Sequence, residues 1–343
     1  MKVTYVWVYS TPRKNTSGRL AAYATYAAAS VLVGALQSRP DVIVASSPPL
    51  SVGAVGAVLA RRFRVPWVLD VRDLWPEVAG VLGEVSSKRA LRFAFWLERT
   101  LYRDAAAITT VTQPFVDHIA DFTDRGKVHL IPNGTTDMWL NLGGADVDRD
   151  ELGIPSDRFV WTYAGNVGLS QGLEVAVDAA ERLGDGFQLL ILGDGASRGR
   201  LSDRAASLPR GRIVFRNSVP ADVAARVMRA SDALLVPLAN EPALGKTIPI
   251  KLYDSCAVGR PVVVAAPGEA HRLAVEQGAG LAVPPGDSQA LATTIRKLAS
   301  DDGFSAEVAE RGLAFAAEHL RERQVPRLEQ VLTEVASARG RGA

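Results

Sequence analysis

Between residues 234 and 265 the chain reads LLVPLANEPALGKTIPIKLYDSCAVGRPVVVA. Apolar runs close both ends. Between them lies a polar loop with Lys246, then Pro249, Lys251 and Asp254 at the start of a short helical pattern. A helix N-terminus presents unpaired backbone N–H groups and the positive end of a dipole, so cations gathered beside it make a seat for phosphate. Asp254, a turn further in, can grip a hydroxylated ring such as ribose. The chemistry implied is binding of a nucleotide that carries phosphates.

Two further loops have the same character. Gly165-Asn166-Val167-Gly168-Leu169-Ser170-Gln171-Gly172 follows one apolar run and precedes a helical pattern, and Gly193-Asp194-Gly195 follows another. Glycines let backbone N–H groups approach a phosphate closely, with the helix dipole behind them. Either loop alone is matched by an ordinary tight turn. Three such loops in successive strand–helix units point to one ligand edge. In the first half, Asp70, Arg72, Asp73 and Glu77 follow an apolar run beside Trp75 and Pro76. They read either as a site loop or as a brace in which Arg72 pairs with Asp70 or Glu77. The four histidines, at 118, 129, 271 and 319, have no metal-binding spacing.

These residues need a scaffold of alternating strands and helices. β-branched runs predict strands at 3–9, 42–45, 67–71, 107–111 and 128–131, with helices at 20–36, 50–62, 88–103 and 113–122. The second half predicts strands at 160–164, 188–192, 213–215, 233–236, 261–265 and 280–283. Its helices are predicted at 173–183, 198–207, 221–230, 251–257, 269–277 and 288–299, with a long one after Ser305. Such alternation implies parallel sheets covered by helices on both faces, with ligands at the carboxyl ends of the strands. Residues 133–153 are the expected linker between two such domains.

A chain of 343 residues with 48% hydrophobic and 22% charged residues is globular, and its length suggests two domains. The one cysteine, Cys256, excludes a disulfide framework and suggests a reducing compartment. With no secretory signal and no apolar run of spanning length, a cytoplasmic location is expected, peripheral to the inner face of the plasma membrane. The net charge of +2 conceals an asymmetry: residues 1–140 carry 16 Lys and Arg against 11 Asp and Glu, and the remainder carries 23 against 26. The basic clusters are Arg13, Lys14 and Arg19; Arg61, Arg62 and Arg64; and Lys88, Arg89, Arg92, Arg99 and Arg103. They read as solvated helix faces or as a face for anionic lipid headgroups. Nucleic acid is not favoured, since the clusters are not interleaved with exposed-looking aromatics and no binding motif appears.

YAGNVGLSQGLE, ILGDG, GKTIPIKLYDSCAVGRPVV and GAGLAVPPGDSQAL, in that order, resemble family 4 of the retaining, GT-B-fold glycosyltransferases. In the first half, DVIVASSPPL, LDVRDLWPE and VHLIPNGT resemble its bacterial branch for capsule, O-antigen and exopolysaccharide units, including N-acetylfucosamine transferases. The resemblance implies an α/β GT-B fold of two Rossmann-like domains facing across a cleft. Residues 1–140 would form the acceptor domain and 141–319 the nucleotide-sugar domain, with a helix at about 320–337 packing back on the first. It implies no metal cofactor, a donor that is an NDP-sugar (UDP-linked), and a lipid-linked or saccharide acceptor.

Carried over by position, Gly165, Asn166 and Gly168 would face the donor diphosphate, with Gly193 and Asp194 near the base or its ribose. Asp254 matches the second acid of the family's acid pair, expected on the ribose. The first acid, eight residues earlier, is replaced by Lys246. The Arg and Lys of the family's first Gly loop correspond to Asn166 and Gln171. Lys246 and Lys251, beside Pro249, are then expected to supply the missing charges. Asp73 and Arg72 are the expected catalytic residues, touching the acceptor or the transferred sugar at the cleft. The family's opening strand, Gly-rich loop and helix are missing from the start of this chain. Three readings follow: a start placed too late, residues 3–9 pairing as a substitute strand, or a degenerate relative that binds nucleotide sugar without turnover. An unpaired central ladder would cost about 1–3 kcal/mol for each buried orphan group.

Overall fold

The computed structural model describes residues 2–10, 16–81, 85, 87–143 and 147–338. The chain divides into two units, residues 1–132 with 324–343, and residues 133–323. The expected first domain ended at residue 140, and the division falls eight residues earlier, after Pro132. Asn133 onward is bound into the second unit by a parallel bridge between Thr135 and Leu320.

In the first unit the order is α1 (Thr16–Ala35), β1 (Ile43–Ser47), α2 (Leu50–Phe63), β2 (Trp67–Val71), α3 (Glu77–Val81), α4 (Lys88–Asp104), β3 (Ala107–Thr110), α5 (Gln113–Ala120) and β4 (Val128–Leu130). The strands form one parallel sheet in the order β1-β2-β3-β4. Strand side chains alternate between faces. Trp67, Leu69 and Val71 therefore enter one core with Leu101 and Phe115. Val68 faces the other way, toward Val331, Leu332 and Val335 near the chain's end.

The expected strand at 3–9 is absent. These residues are irregular, and Tyr5 and Trp7 are strongly exposed. Among the described contacts they are held by side chains: the Tyr9 N–H donates to Thr25 Oγ1 and Lys2 Nζ to Gln37 Oε1. A strand needs a ladder partner, and here β1 remains a sheet edge with Val44 open to solvent. Arg13, Lys14 and Asn15 lie outside the described residues.

The second unit runs α6 (Asp137–Gly143), β5 (Phe159–Ala164), α7 (Glu174–Arg182), β6 (Phe187–Leu192), α8 (Arg198–Ala205), β7 (Ile213–Arg216), α9 (Ala221–Ala230), β8 (Ala233–Pro237), α10 (Ile250–Ala257), β9 (Val262–Ala265), α11 (Gly268–Gln277), β10 (Leu281–Val283), α12 (Ser288–Ser300) and α13 (Asp302–Glu318). A last helix, α14 (Arg321–Ala338), begins in this unit, and its residues from 324 belong to the first. Helix α6 falls where the sequence suggested only linker. The sheet is parallel, ordered β10-β9-β8-β5-β6-β7. Alternation again fills both faces: Trp161, Tyr163, Leu189 and Ile191 enter one core, and Val160, Leu190 and Leu192 the other. Complete burial of such side chains stabilises by about 1.5–3 kcal/mol each.

Candidate functional site

Strand β5 is the first strand of its sheet; the chain runs out through β6 and β7 on one side, then returns to place β8 on the other. That reversal opens a crevice at the carboxyl ends. A cavity of about 580 Å³ occupies this edge, and Gly165, Asn166, Gly193, Asp194, Lys251 and Asp254 are among the residues lining it.

Glycine is required where the two loops meet. Gly165 and Gly193 have φ of 141° and 147°, a region side chains rarely adopt. A Cβ on Gly193 would stand 1.9 Å from the Gly165 carbonyl oxygen. The loops are joined by hydrogen bonds from Gly165 N–H to the Leu192 carbonyl and from Val167 N–H to the Asp194 carbonyl, both 2.9 Å. The Asp194 carboxylate accepts from Gly195 N–H at 2.8 Å. Gly168 does not line the cavity. A Cβ there would come within 2.7 Å of Asn166 Nδ2, so Gly168 leaves room for the Asn166 side chain.

Helix α10 begins at Pro249, whose φ of −66° suits the residue before the first turn. It brings Lys251 to the cavity. Lys251 Nζ donates to the Tyr163 hydroxyl at 2.7 Å and to Gln171 Oε1, and lies 4.5 Å from the Tyr163 ring centroid. The Tyr163 hydroxyl in turn donates to the Asn166 carbonyl at 2.6 Å. Among the described residues no carboxylate pairs with Lys251, which is the only cation lining the cavity. Burial without a counter-charge pushes its ammonium down to about 7. Lys246 ends the 3-10 turn Pro242–Lys246 and, like Pro249, does not line the cavity.

One turn beyond Lys251, Asp254 lines the cavity with one oxygen engaged. Thr135, fully buried, donates its hydroxyl to Asp254 Oδ1 at 2.9 Å. Burial raises the Asp254 carboxyl to about 6, opposed by the Thr135 hydrogen bond and the Arg321 charge. Thr135 is held by backbone bonds to His319 and Arg321, and Arg321 Nε donates to the Gly134 carbonyl at 2.8 Å. The Asn133-Gly134-Thr135 stretch, expected as linker, therefore anchors the acid. Thr135, Tyr163 and Trp139, which also lines the cavity, were missed from sequence. Thr135 and Trp139 lie in that supposed linker, and Tyr163 reads as ordinary core.

In the first unit, Asp70 and Arg72 form the brace that was the second sequence reading. Asp70 Oδ2 accepts from Arg72 Nε at 2.6 Å and Ser46 Oγ at 3.0 Å, and Oδ1 accepts from Thr109 Oγ1 at 2.8 Å. Asp73, next along, is exposed at the surface yet crowded by protein, which raises its carboxyl to about 6. Among the described residues no group of three or more His, Cys, Asp or Glu could hold a metal ion.

Comparison with known proteins matches both units. Residues 1–134 match the model of the glycosyl transferase 4-like domain, and residues 158–301 that of glycosyl transferases group 1. The chain belongs to the GT4-like glycosyltransferases. WcaI of Escherichia coli K12, named as a colanic acid biosynthesis glycosyl transferase, is 26% identical over 327 residues, covering 90% of this chain and 80% of WcaI. A D-inositol 3-phosphate glycosyltransferase of Xylanimonas cellulosilytica is 28% identical over 269 residues, covering 75% of this chain but only 63% of that protein. Anabaena HepE, solved with UDP and glucose, superposes with a TM-score of 0.73 at 20% identity, covering 94% of this chain and 84% of HepE. That likeness carries the fold, which is GT-B.

Proposed function

We propose that this GT4-like protein transfers a sugar from an NDP-sugar to a lipid-linked or saccharide acceptor in the synthesis of a cell-surface polysaccharide, with retention at the anomeric carbon. The observation that carries this reading is the unpaired, buried ammonium of Lys251, set among Gly165, Asn166 and Asp254 at the reversal of strand order. An anion-free buried cation is costly alone and becomes favourable when a diphosphate arrives. When the sugar–phosphate bond breaks, charge grows on the leaving diphosphate, and a cation already fixed beside it stabilises that charge. The reading assigns this work to Lys251, with the Gly165 and Gly193 loops bringing backbone close to the phosphates and Asp254 holding the ribose. HepE was solved in complex with UDP and glucose, which supports a uridine nucleotide. The name of WcaI supports cell-surface polysaccharide, and the quoted motifs support an N-acetylamino sugar. Asp73 and Arg72 are assigned to the acceptor side. The Arg72–Asp70 pair fixes the Arg72 guanidinium and leaves the neighbouring Asp73 to meet the sugar.

A thermal-shift screen of UDP-, GDP- and dTDP-sugars tests the donor site, with Lys251→Ala and Asp254→Ala beside the wild type. One nucleotide class should stabilise the wild type, Lys251→Ala should lose the shift and Asp254→Ala should weaken it. No shift from any nucleotide, or equal shifts in all three proteins, overturns the assignment. A second reading is favoured by one observation, that residues 3–9 form no strand and β1 stays an edge. It is a nucleotide-sugar-binding protein without transfer. Release of UDP from the bound donor on adding a bacterial lipid extract separates the two, since only a transferase does this.

A further inference from the structure

Helix α4 lies far in sequence from the cavity residues and has a face that the donor site does not use. At about 3.6 residues per turn, positions 89, 92, 93, 96, 99 and 103 share one side. On it Phe93 and Trp96 are 62% and 59% exposed, with ring centroids 5.6 Å apart. Arg89, Arg92, Arg99 and Arg103 are exposed along the same side, Arg99 with its guanidinium 4.5 Å from the Phe122 ring centroid, and Lys88 extends the set at the N-terminus. The opposite side is core: Ala94, Leu101 and Tyr102 are buried. Both carboxylates of the helix are diverted from the exposed side. Glu98 is buried and accepts the Tyr102 hydroxyl at 2.9 Å. Asp104 pairs with Arg61 and accepts Trp67 Nε1 at 3.1 Å. Arg61 therefore links the basic end of α2, with Arg62 and Arg64, to the end of α4.

We propose that this face docks on an anionic phospholipid surface, with Phe93 and Trp96 entering the headgroup–acyl boundary and the surrounding arginines meeting lipid phosphates. Two large aromatics left in water in the middle of a cationic helix face need a partner that is apolar at the centre and anionic on either side. A bilayer interface has that profile. Arginine stems lie along the apolar zone while their heads stay at phosphate level. Nucleic acid fits less well, because stacked bases need aromatics spread along a groove. Here the two rings lean on each other on a convex helix. The sequence pattern suggests no exposed aromatics among the basic clusters. The helix corrects it, since Phe93 and Trp96 join the arginines only when wound onto one face. Among the described residues no helix is long and apolar enough to cross a membrane, so the contact is peripheral. It stands independently of the donor assignment.

The test is sedimentation of the full chain with vesicles of phosphatidylcholine, alone or with 30 mole per cent phosphatidylglycerol, as about the amount of charge a cytoplasmic leaflet presents. The wild type should partition onto the anionic vesicles and release as salt rises. Each cation near an anionic surface is worth about fivefold, so Arg89→Gln/Arg92→Gln should weaken partition about 25-fold. Phe93→Ala/Trp96→Ala should weaken it at least about tenfold. All four side chains are exposed, so both variants should keep the wild-type melting temperature. Brominated acyl chains should quench tryptophan fluorescence in the wild type, and Trp96→Phe should bind yet lose most of that quenching. No partition onto anionic vesicles, or equal partition by the variants, overturns the proposal. So does a dimer in solution that Phe93→Ala/Trp96→Ala dissolves, or tight binding of single-stranded nucleic acid without binding of vesicles.

Discussion

On the proposed donor assignment, Lys251 makes binding of the nucleotide sugar a proton-uptake reaction. In the free protein burial holds its ammonium at about 7, against an ordinary 10.5. At pH 8 only about a tenth of the free protein carries that proton, by the ordinary titration curve. A diphosphate entering the cavity brings negative charge to Nζ and favours the protonated form. If the bound value returns to the ordinary range, the complex takes up about 0.9 proton at pH 8 and about 0.1 at pH 6. The sign follows. A cation lowered in the free state and restored in the bound state binds ligand best below pH 7. Affinity then falls by about tenfold per pH unit above it, close to a hundredfold between pH 6 and pH 9.

Isothermal titration of UDP-glucose, whose diphosphate carries no titrating proton in this range, measures both quantities when run in two buffers of different ionisation enthalpy. If another nucleotide gives the larger thermal shift, its sugar takes the same role. Lys251→Met should abolish the buffer-dependent heat. It should bind weakly at pH 6 and approach the wild type at pH 9, where the wild-type lysine has lost its charge. Tight binding that stays flat from pH 6 to 9, with no proton uptake, refutes the reasoning. Lys251 would then be charged before the ligand arrives, or away from the phosphates.

The remaining predictions concern the scaffold. Gly193→Ala places a methyl 1.9 Å from the Gly165 carbonyl at a φ of 147°, so it should cost at least about 2 kcal/mol. An unchanged urea midpoint refutes that. Glu98 is raised to about 7, first by burial and then by the Glu77 charge, against the opposing Tyr102 hydrogen bond and Arg99 charge. A raised carboxyl binds more protons folded than unfolded, so stability should fall as pH rises from about 4.5 to 7. Glu98→Gln keeps an acceptor for Tyr102. It should stabilise by about 3 kcal/mol at pH 8 and by nearly nothing at pH 4, and equal effects at both would sink the idea.

Much of this was legible because the signals are local. Two parallel sheets follow from alternating β-branched runs and Ala-rich helices. Gly165, Gly193 and the Lys251–Asp254 turn stand at strand ends where glycine and helix starts mark themselves. The strand at residues 3–9 was misread for the same reason. Alternating Val, Tyr and Trp satisfy a local pattern, but a strand is a pairing, and sequence periodicity does not supply the neighbour. Thr135 was hidden because its role depends on Leu320 and Arg321, almost 190 residues away in the chain. The paired aromatics of α4 were hidden because the arginines on either side of them read as a solvated face.

The family's first Gly loop is expected to carry an Arg and a Lys where this chain has Asn166 and Gln171. The structure brings Lys251 Nζ, from helix α10, onto the Gln171 amide oxygen and the Tyr163 hydroxyl. On the proposed reading the cation comes from another element and meets Gln171, where the resemblance places a loop lysine. A glutamine suits that position because its oxygen accepts from the ammonium without neutralising it. A glutamate would form a salt bridge, cancel the charge and leave the phosphates a dipole. Asp254, one turn on, is turned aside by Thr135 rather than by Lys251. Both acid and base are thus held by neutral partners, which keeps the lysine's charge, once acquired, available to the ligand.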